Sequence, residues 1–243
     1  MRRSNLVGKI HSIDTYSTLD GYGIRSVIFM QGCNLRCIYC HNPDTWDCNQ
    51  FTPITSNEIV SKIRNYSMYY GSKGGVTFSG GEPLCQAEFV DECVEKLSKI
   101  GIKSCIETSG NVEVDDKVAS LIAKLDFVIC DLKFPDDESY LKYTGVSIAK
   151  TLKFLDFLQQ RKVPVWIRTV VVPTINDSVE IMEKYREIVD KYDNVVRWEL
   201  LPFSKIGFGK YSQLNIVNRL ENVQDLDMDQ FKLLQERFEK KSS

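Results

Sequence analysis

The sequence predicts an α/β protein arranged as a partial (β/α)6 barrel, with mainly parallel strands inside and helices outside. Three observations predict it. Six short segments rich in Val, Ile and Phe recur along the 243 residues. Segments with helical periodicity separate them, and repeated β-then-α units imply a parallel sheet with right-handed crossovers. Polar and glycine-bearing residues collect where the strands end, which is where ligands sit in parallel α/β proteins. Six strands are fewer than the eight of a closed barrel, so the barrel is open or partial.

The strands are expected at 26–30, 76–79, 104–108, 127–131, 165–172 and 195–201. Each is a short apolar run, the pattern of a strand buried on both faces. Thr55-Ser-Asn-Glu58 is a capping box, with Ile59, Ile63, Tyr66 and Tyr70 on one stripe beyond it. A helix over 87–100 ends at Gly101, a residue suited to the C′ position. Helices at 151–160 and 178–192 present Leu152, Leu155 and Leu158, and Ile181, Tyr185, Ile188 and Tyr192. A last helix, about 227–240, uses Phe231, Leu234 and Phe238. The tail 239–243 is expected to fray.

A hydrophobic fraction of 43% supports a full core, and no linker or repeat divides the chain, so one domain over 1–243 is expected, with a short N-terminal segment 1–24. The net charge of −2 gives no electrostatic case for nucleic acid or an anionic membrane surface. No apolar run is long enough to span a bilayer. Arg2 and Arg3 are not followed by an apolar stretch, so no secretory signal is read and a cytoplasmic chain is expected. In that compartment the eight cysteines favour metal binding or core thiols over disulfides.

Cys33-Asn-Leu-Arg-Cys37-Ile-Tyr-Cys40 carries the chemistry. Three thiolates on one short loop can serve three irons of a cubane and leave the fourth open, as catalysis requires. Three other readings stand beside it. Cys37-Ile-Tyr-Cys40-His41 matches a haem-attachment signature but leaves Cys33 unused. A structural zinc site would take Cys33, Cys37, Cys40 and either His41 or Cys48. A dithiol at Cys37 and Cys40 again ignores Cys33. Cys93, Cys105 and Cys130 read as small core residues, and Cys48 and Cys85 as buried filler.

The C-x3-C-x2-C spacing, with Tyr39 before its last cysteine, resembles the radical S-adenosylmethionine (SAM) superfamily, as does Ser79-Gly-Gly-Glu-Pro83. Ile10-His-Ser-Ile-Asp14, Asp20-Gly-Tyr-Gly-Ile-Arg25, Phe29-Met-Gln-Gly-Cys33, Cys40-His-Asn-Pro-Asp-Thr-Trp46, Asp131-Leu-Lys133, Val165-Trp-Ile-Arg168 and Glu199-Leu-Leu-Pro202 narrow the resemblance to the activating enzymes of pyruvate formate-lyase, over nearly the whole chain. It implies a radical SAM barrel and a [4Fe-4S] cluster on Cys33, Cys37 and Cys40. The iron left open chelates SAM, which is cleaved reductively to a 5′-deoxyadenosyl radical, and a glycine of the partner's glycyl-radical loop loses its Cα hydrogen. It further implies flavodoxin or ferredoxin as electron donor and a monomeric enzyme.

The same resemblance suggests residue roles. Tyr39, Cys40 and His41 line the nucleotide site, and Gly80 and Gly81 permit close backbone approach. Glu82 accepts a hydrogen bond from the SAM ammonium. Glu107 and Asp131 hold a monovalent cation, with Thr108 alongside. Leu132, Lys133 and Ser204 contact SAM. Arg168 pairs with a carboxylate, and Asp20 meets the incoming peptide. Plainer readings remain for several: a simple turn at Gly80 and Gly81, a solvated Asp131–Lys133 pair and a structural ion pair at Arg168. The chain has Tyr22 where the family has proline, Glu107-Thr-Ser109 where it has Asp-Thr-Asn, and Ser204 where it has histidine. Activation of another glycyl-radical enzyme, or a zinc-stabilised binding module without catalysis, are the competing functions. The ligand set gives a prediction: Cys37→Ala abolishes iron–sulfur content and SAM cleavage, whereas Cys93→Ala retains both. Equal losses in the two variants, measured by iron and acid-labile sulfide assay, contradict the assignment.

Overall fold

A computed structural model describes residues 5–240; Met1–Ser4, and Lys241–Ser243 of the tail expected to fray, lie outside the described residues. The elements in chain order begin with β1 (Val7–Ser17), β2 (Arg25–Met30), β3 (Thr52–Thr55), α1 (Ser56–Arg64), β4 (Gly75–Gly80), α2 (Ala87–Ser98), β5 (Lys103–Thr108) and α3 (Asp116–Ile122). They continue with β6 (Phe127–Asp131), α4 (Asp137–Thr144), α5 (Ala149–Gln160), β7 (Val165–Val171), α6 (Val179–Val189), β8 (Val195–Pro202), α7 (Phe208–Gln213) and α8 (Met228–Phe238). The strands make one sheet in the order β3-β1-β2-β4-β5-β6-β7-β8. β2 with β4, β4 with β5, and β7 with β8 pair in parallel, and β1 runs antiparallel to both β2 and β3. The predicted α/β class and open sheet therefore hold. All six predicted strands are present, and two antiparallel strands extend the sheet beyond them.

Two compact units share the chain. The first contains the described residues to Asn34, Thr45–Thr108 and Val112–Ile129; the second contains Leu35–Asp44, Ser109–Asn111 and the chain from Cys130. In the first, Val27, Ile28, Val76, Phe78, Cys105 and Ile106 are fully buried, as strands covered on both faces require. Thr55 caps α1 by accepting from the Glu58 amide, and the Glu58 side chain accepts from the Thr55 amide, completing the predicted box. Tyr66 and Tyr70 fall beyond α1, flanking a short 3-10 turn. α2 stops at Ser98, before Gly101 at φ +74.

One buried cation organises the start of β2. Arg25 is fully buried and donates Nε to Thr77 Oγ1 at 2.6 Å and its two terminal nitrogens to the carbonyls of Val76 and Tyr22. Its guanidinium lies 5.4 Å from the Phe127 ring centroid, and Tyr22 meets the same ring edge-on at 5.0 Å. The aromatic residue at position 22 thus fastens the 20–24 loop by packing.

In the second unit α5 buries Phe154, Leu155 and Leu158, leaving Leu152 only half-buried because Thr151 and Phe154 take the inner face. α6 starts at its Ser178 cap and buries Met182, Tyr185, Ile188 and Val189, so the stripe includes Met182 in place of Ile181. α8 buries Phe231, Leu234 and Phe238 as predicted. Glu239 and Lys240 do not fray. The Glu239 side chain accepts from the Leu200 amide at 2.9 Å, and Lys240 exchanges backbone hydrogen bonds with Trp198 on β8. Asn176, almost fully buried, closes the end of β7. Its Oδ1 accepts from the Val172 amide at 2.6 Å, and its Nδ2 donates to the Val170 carbonyl and to Tyr185 Oη, both at 2.9 Å. Tyr185 in turn donates to the Lys133 carbonyl at 2.9 Å. Removing one partner of a buried polar network strands the others. Asn176→Ala is therefore expected to cost about 2–4 kcal/mol in urea unfolding and Tyr185→Phe about 1–2; a loss below about 0.5 kcal/mol for Asn176→Ala would show that the network does not carry the β7 end.

Candidate active site

In the first unit the chemistry-bearing residues stand at the ends of β2, β4 and β5. β2 and β4 pair in register from Arg25–Gly75 to Met30–Gly80, so the turn after β4 runs beside the segment that leads to Cys33. The contact is close. A Cβ on Gly81 would stand 2.2 Å from the Gly32 carbonyl oxygen, and one on Gly80, whose φ is +96, would stand 2.6 Å from the Met30 amide nitrogen. What requires glycine at both positions is the backbone of this chain itself. The Gly81 and Glu82 amides donate to the Met30 and Gly32 carbonyls at 2.9 and 2.8 Å.

Glu82 is buried, and its Oε1 accepts from the Leu84 amide at 3.1 Å and from Thr108 Oγ1 at 2.6 Å. Glu107 Oε2 accepts from Ser79 Oγ at 2.6 Å. These two pairs tie the end of β5 to the turn after β4, bringing five predicted residues together: Gly80, Gly81, Glu82, Glu107 and Thr108. Asp20 sits earlier along the strands. Its carbonyl accepts from Thr77 Oγ1 at 2.6 Å and its carboxylate from Ser17 Oγ. Thr77 and Ser79 share one face of β4, since side chains two apart point the same way.

In the second unit Asp131 and Lys133 form a mostly buried ion pair, Nζ to Oδ2 2.8 Å, with side chains 18% and 17% exposed. The solvated alternative for this pair fails on that burial. Burial opposes the Lys133 charge, but Asp131 first, then Tyr39 and Cys37, outweigh it and hold the ammonium well above the ordinary lysine range. Its Nζ lies 6.0 Å from the Tyr39 ring centroid. Burial pushes the Tyr39 phenol well above its usual value, with Lys133 offsetting only part, so the hydroxyl is neutral. Buried Tyr39 Oη finds no hydrogen-bond partner among the described residues, and so stands as an unmet polar group.

His41 Nε2 meets the Ser204 carbonyl at 2.9 Å, which brings these two predicted residues together through the backbone. The Leu132 amide donates to the Arg168 carbonyl at 2.9 Å. The Arg168 side chain is buried against Glu199, Nε to Oε2 3.0 Å, and faces it across the β7–β8 register. Arg197 takes the other Glu199 oxygen at 2.6 Å, and the Arg168 and Arg197 guanidiniums lie 4.7 and 3.9 Å from the Trp166 ring centroid. Arg168 thus pairs with a carboxylate within the sheet, that of Glu199.

The sequence reading missed Gly207, Lys210 and Tyr211. Lys210 Nζ donates to Asn42 Oδ1 at 3.0 Å and to Asp44 Oδ1 at 3.1 Å, and Tyr211 Oη donates to the Cys40 carbonyl at 3.0 Å. A Cβ on Gly207 would stand 2.7 Å from His41 Cα. Together they hold the segment after Cys40. The only signal was the pair Gly207 and Gly209 around an aromatic; a helix of six residues has no periodicity to read. Among the other cysteines, Cys93, Cys105 and Cys130 are buried as expected, but Cys48 and Cys85 are exposed: the loop at 48 lies at the surface, and the 3-10 turn at 83–86 buries Pro83 and Leu84 and leaves Cys85 outside.

All eight cysteines are thiols rather than disulfides. Among the described residues no three His, Cys, Asp or Glu side chains converge on one ion-sized point. A cubane asks for a different arrangement, since each thiolate binds its own iron. Soft thiol donors at Cys33, Cys37 and Cys40, with the unmet Tyr39 hydroxyl and the buried Lys133–Asp131 pair in the unit of Cys37 and Cys40, fit an iron–sulfur cluster and a charged ligand beside it.

Residues 27–185 match the family model of the radical SAM superfamily. A pyruvate formate-lyase-activating enzyme from Staphylococcus epidermidis is 41% identical over 230 residues, covering 91% of each chain. One from Clostridium pasteurianum is 39% identical over 235 residues, covering 95% of this chain and 96% of that one. The fold is also that of Streptococcus suis SuiB bound to the precursor peptide SuiA, with a TM-score of 0.66 at 16% identity over 87% of this chain and 44% of the other. A domain of a pyruvate-formate lyase-activating enzyme from Bacteroides vulgatus aligns with a TM-score of 0.55 at 19% identity, over 67% of this chain and 91% of that one.

The glycine contacts make a paired prediction. Gly81→Ala must displace the Gly32 backbone and is expected to cost more than about 2 kcal/mol in urea unfolding. Gly101→Ala, at φ +74 with no atom within 4 Å of its Cβ, is expected to cost about 1 kcal/mol from backbone strain alone. Equal costs would show that the close approach at Gly81 is not a constraint.

Proposed function

The chain belongs to the radical SAM superfamily and, within it, to the pyruvate formate-lyase-activating enzymes, and from that premise we propose that it installs the glycyl radical on pyruvate formate-lyase. The observation that carries the reading is the donor set: three thiols at Cys33, Cys37 and Cys40 on one loop, none of them in a disulfide, beside the buried Tyr39. A [4Fe-4S] cluster and SAM are the cofactors of this family. When bound they supply one-electron cleavage of a sulfonium and a 5′-deoxyadenosyl radical that takes a glycine Cα hydrogen.

The residues of the chain then bind, orient and exclude water. Cys33, Cys37 and Cys40 hold the cluster. Tyr39 and His41 line the nucleotide, and the neutral Tyr39 hydroxyl gains the polar partner it lacks. Gly80 and Gly81 shape the turn that presents Glu82, which the Thr108 hydroxyl holds, while the Ser79 hydroxyl fixes Glu107. Lys133, kept charged by Asp131, suits the SAM carboxylate; Leu132 lies between them, and the Ser204 carbonyl fixes the His41 ring. Arg168 acts as a positioning residue through Glu199. Asp20 meets the incoming peptide from the loop fastened by Arg25 and Tyr22. Flavodoxin or ferredoxin supplies the electron to a cytoplasmic, monomeric, single-domain enzyme.

The test is anaerobic. After reconstitution with iron and sulfide, reduction, and addition of SAM and pyruvate formate-lyase, a glycyl-radical doublet in the electron paramagnetic resonance spectrum is expected together with 5′-deoxyadenosine. Deoxyadenosine without the doublet moves the partner to another glycyl-radical enzyme. Bound zinc with neither signal overturns the reading.

A further inference from the structure

An exposed basic surface flanks the cysteine loop within the second unit. The Arg36 amide donates to the Thr144 carbonyl at 2.7 Å and the Ile38 amide to the Tyr143 carbonyl at 3.0 Å, so residues 36–38, which include Cys37, lie along the C-terminal end of α4. Arg219 donates to the Lys142 carbonyl at 3.0 Å, joining a third segment to the same place. Arg36, Lys142 and Arg219 are all exposed. Lys142 and Arg219 make no ion pair among the described residues, although Glu138 and Glu221 are exposed on the same segments. Leu141 and Val217, 50% and 83% exposed, stand beside them. A cation at a helix C-terminus complements the macrodipole, which accounts for a charge on the last turn of α4 but not for Arg36 and two exposed apolar side chains at the same spot. Small apolar centres rimmed by charge are the anatomy of brief protein–protein encounters.

We propose that Arg36, Lys142 and Arg219 form the docking surface for an acidic one-electron carrier protein, which passes its electron to the site through the loop that bears Cys37. The proposal rests on the function proposed above, which requires one electron per turnover: the carrier is oxidised by one electron, the iron–sulfur group is reduced by one, and no bond or proton moves in the transfer. Opposite charge on the carrier steers the encounter and makes it salt-dependent.

Flavodoxin serves as the probe, with the reconstituted full chain, in two measurements: affinity at several ionic strengths, and SAM cleavage driven by dithionite. The Lys142→Glu, Arg219→Glu variant is expected to bind flavodoxin at least tenfold more weakly and to lose most of the salt dependence, while dithionite-driven cleavage stays at the wild-type rate. Lys142→Glu alone, which breaks no hydrogen bond, is expected to weaken binding several-fold. Lys184→Glu on α6, with the same change in net charge, is expected to leave affinity within twofold. Unchanged affinity in the double variant overturns the proposal, as does an equal loss in Lys184→Glu or a parallel loss of dithionite-driven cleavage. Wild-type protein that binds flavodoxin through these residues but never cleaves SAM under dithionite would retain the docking surface and overturn the proposed function.

Discussion

The pairing of β2 with β4 is the constraint on which the first unit depends. Its register sets the turn at Gly80 and Gly81 against the carbonyls of Met30 and Gly32, at distances that admit no side chain. That contact decides where the chain leaves β2, and so where Cys33 begins its loop. It also decides where Glu82 lands, because its amide is held by Gly32. The Thr108 hydroxyl then ties Glu82 to β5, and the Ser79 hydroxyl ties β4 to Glu107 on β5. The loop that bears Cys33 thereby starts from a strand end held by backbone hydrogen bonds, the placement that gives a site its precision.

The second unit meets the same need by burying charge. Asp131 and Lys133 are largely removed from water, and each would be costly without the other. Tyr185, held by Asn176, fixes the Lys133 backbone, so the ammonium stands on a tethered residue at the end of β6. The segment after Cys40 is pinned by Tyr211, Lys210 and the close fit at Gly207. The residues that touch chemistry are few, and the rest of the polar interior keeps them still.

Legibility in the sequence followed burial. Strands covered on both faces, such as 26–30 and 127–131, read as apolar runs and were found with their ends nearly right. β1 was not, since Lys9, His11 and Asp14 interrupt its apolar residues and only alternate positions at its start are buried. β3 has four residues, one a proline. The Thr55 cap was legible because its chemistry is local, and the helix starts read at Ser178 and near Asp227 coincide with the caps of α6 and α8. The cysteine loop was legible as a motif. The partners of its neighbours were not: Arg168 chose Glu199 from the adjacent strand, Tyr211 reached back to Cys40 across 171 positions, and Glu82 took Thr108, all matters of tertiary register. Cys48 and Cys85 were misplaced because a lone thiol carries no signal of its depth.

The two margins of the sheet are closed in different ways. β3 is short and carries Pro53, which has no amide to offer a further strand. Along β8, Trp198 already exchanges its backbone hydrogen bonds with Lys240. Neither margin offers a long ladder to an extended segment of another protein, so strand addition is a poor route of recognition for this chain. Recognition of another polypeptide must instead rest on side chains and loops. Selectivity among glycine-bearing segments then rests on the shape and charge of a few residues, which drift in sequence can retune without disturbing the scaffold.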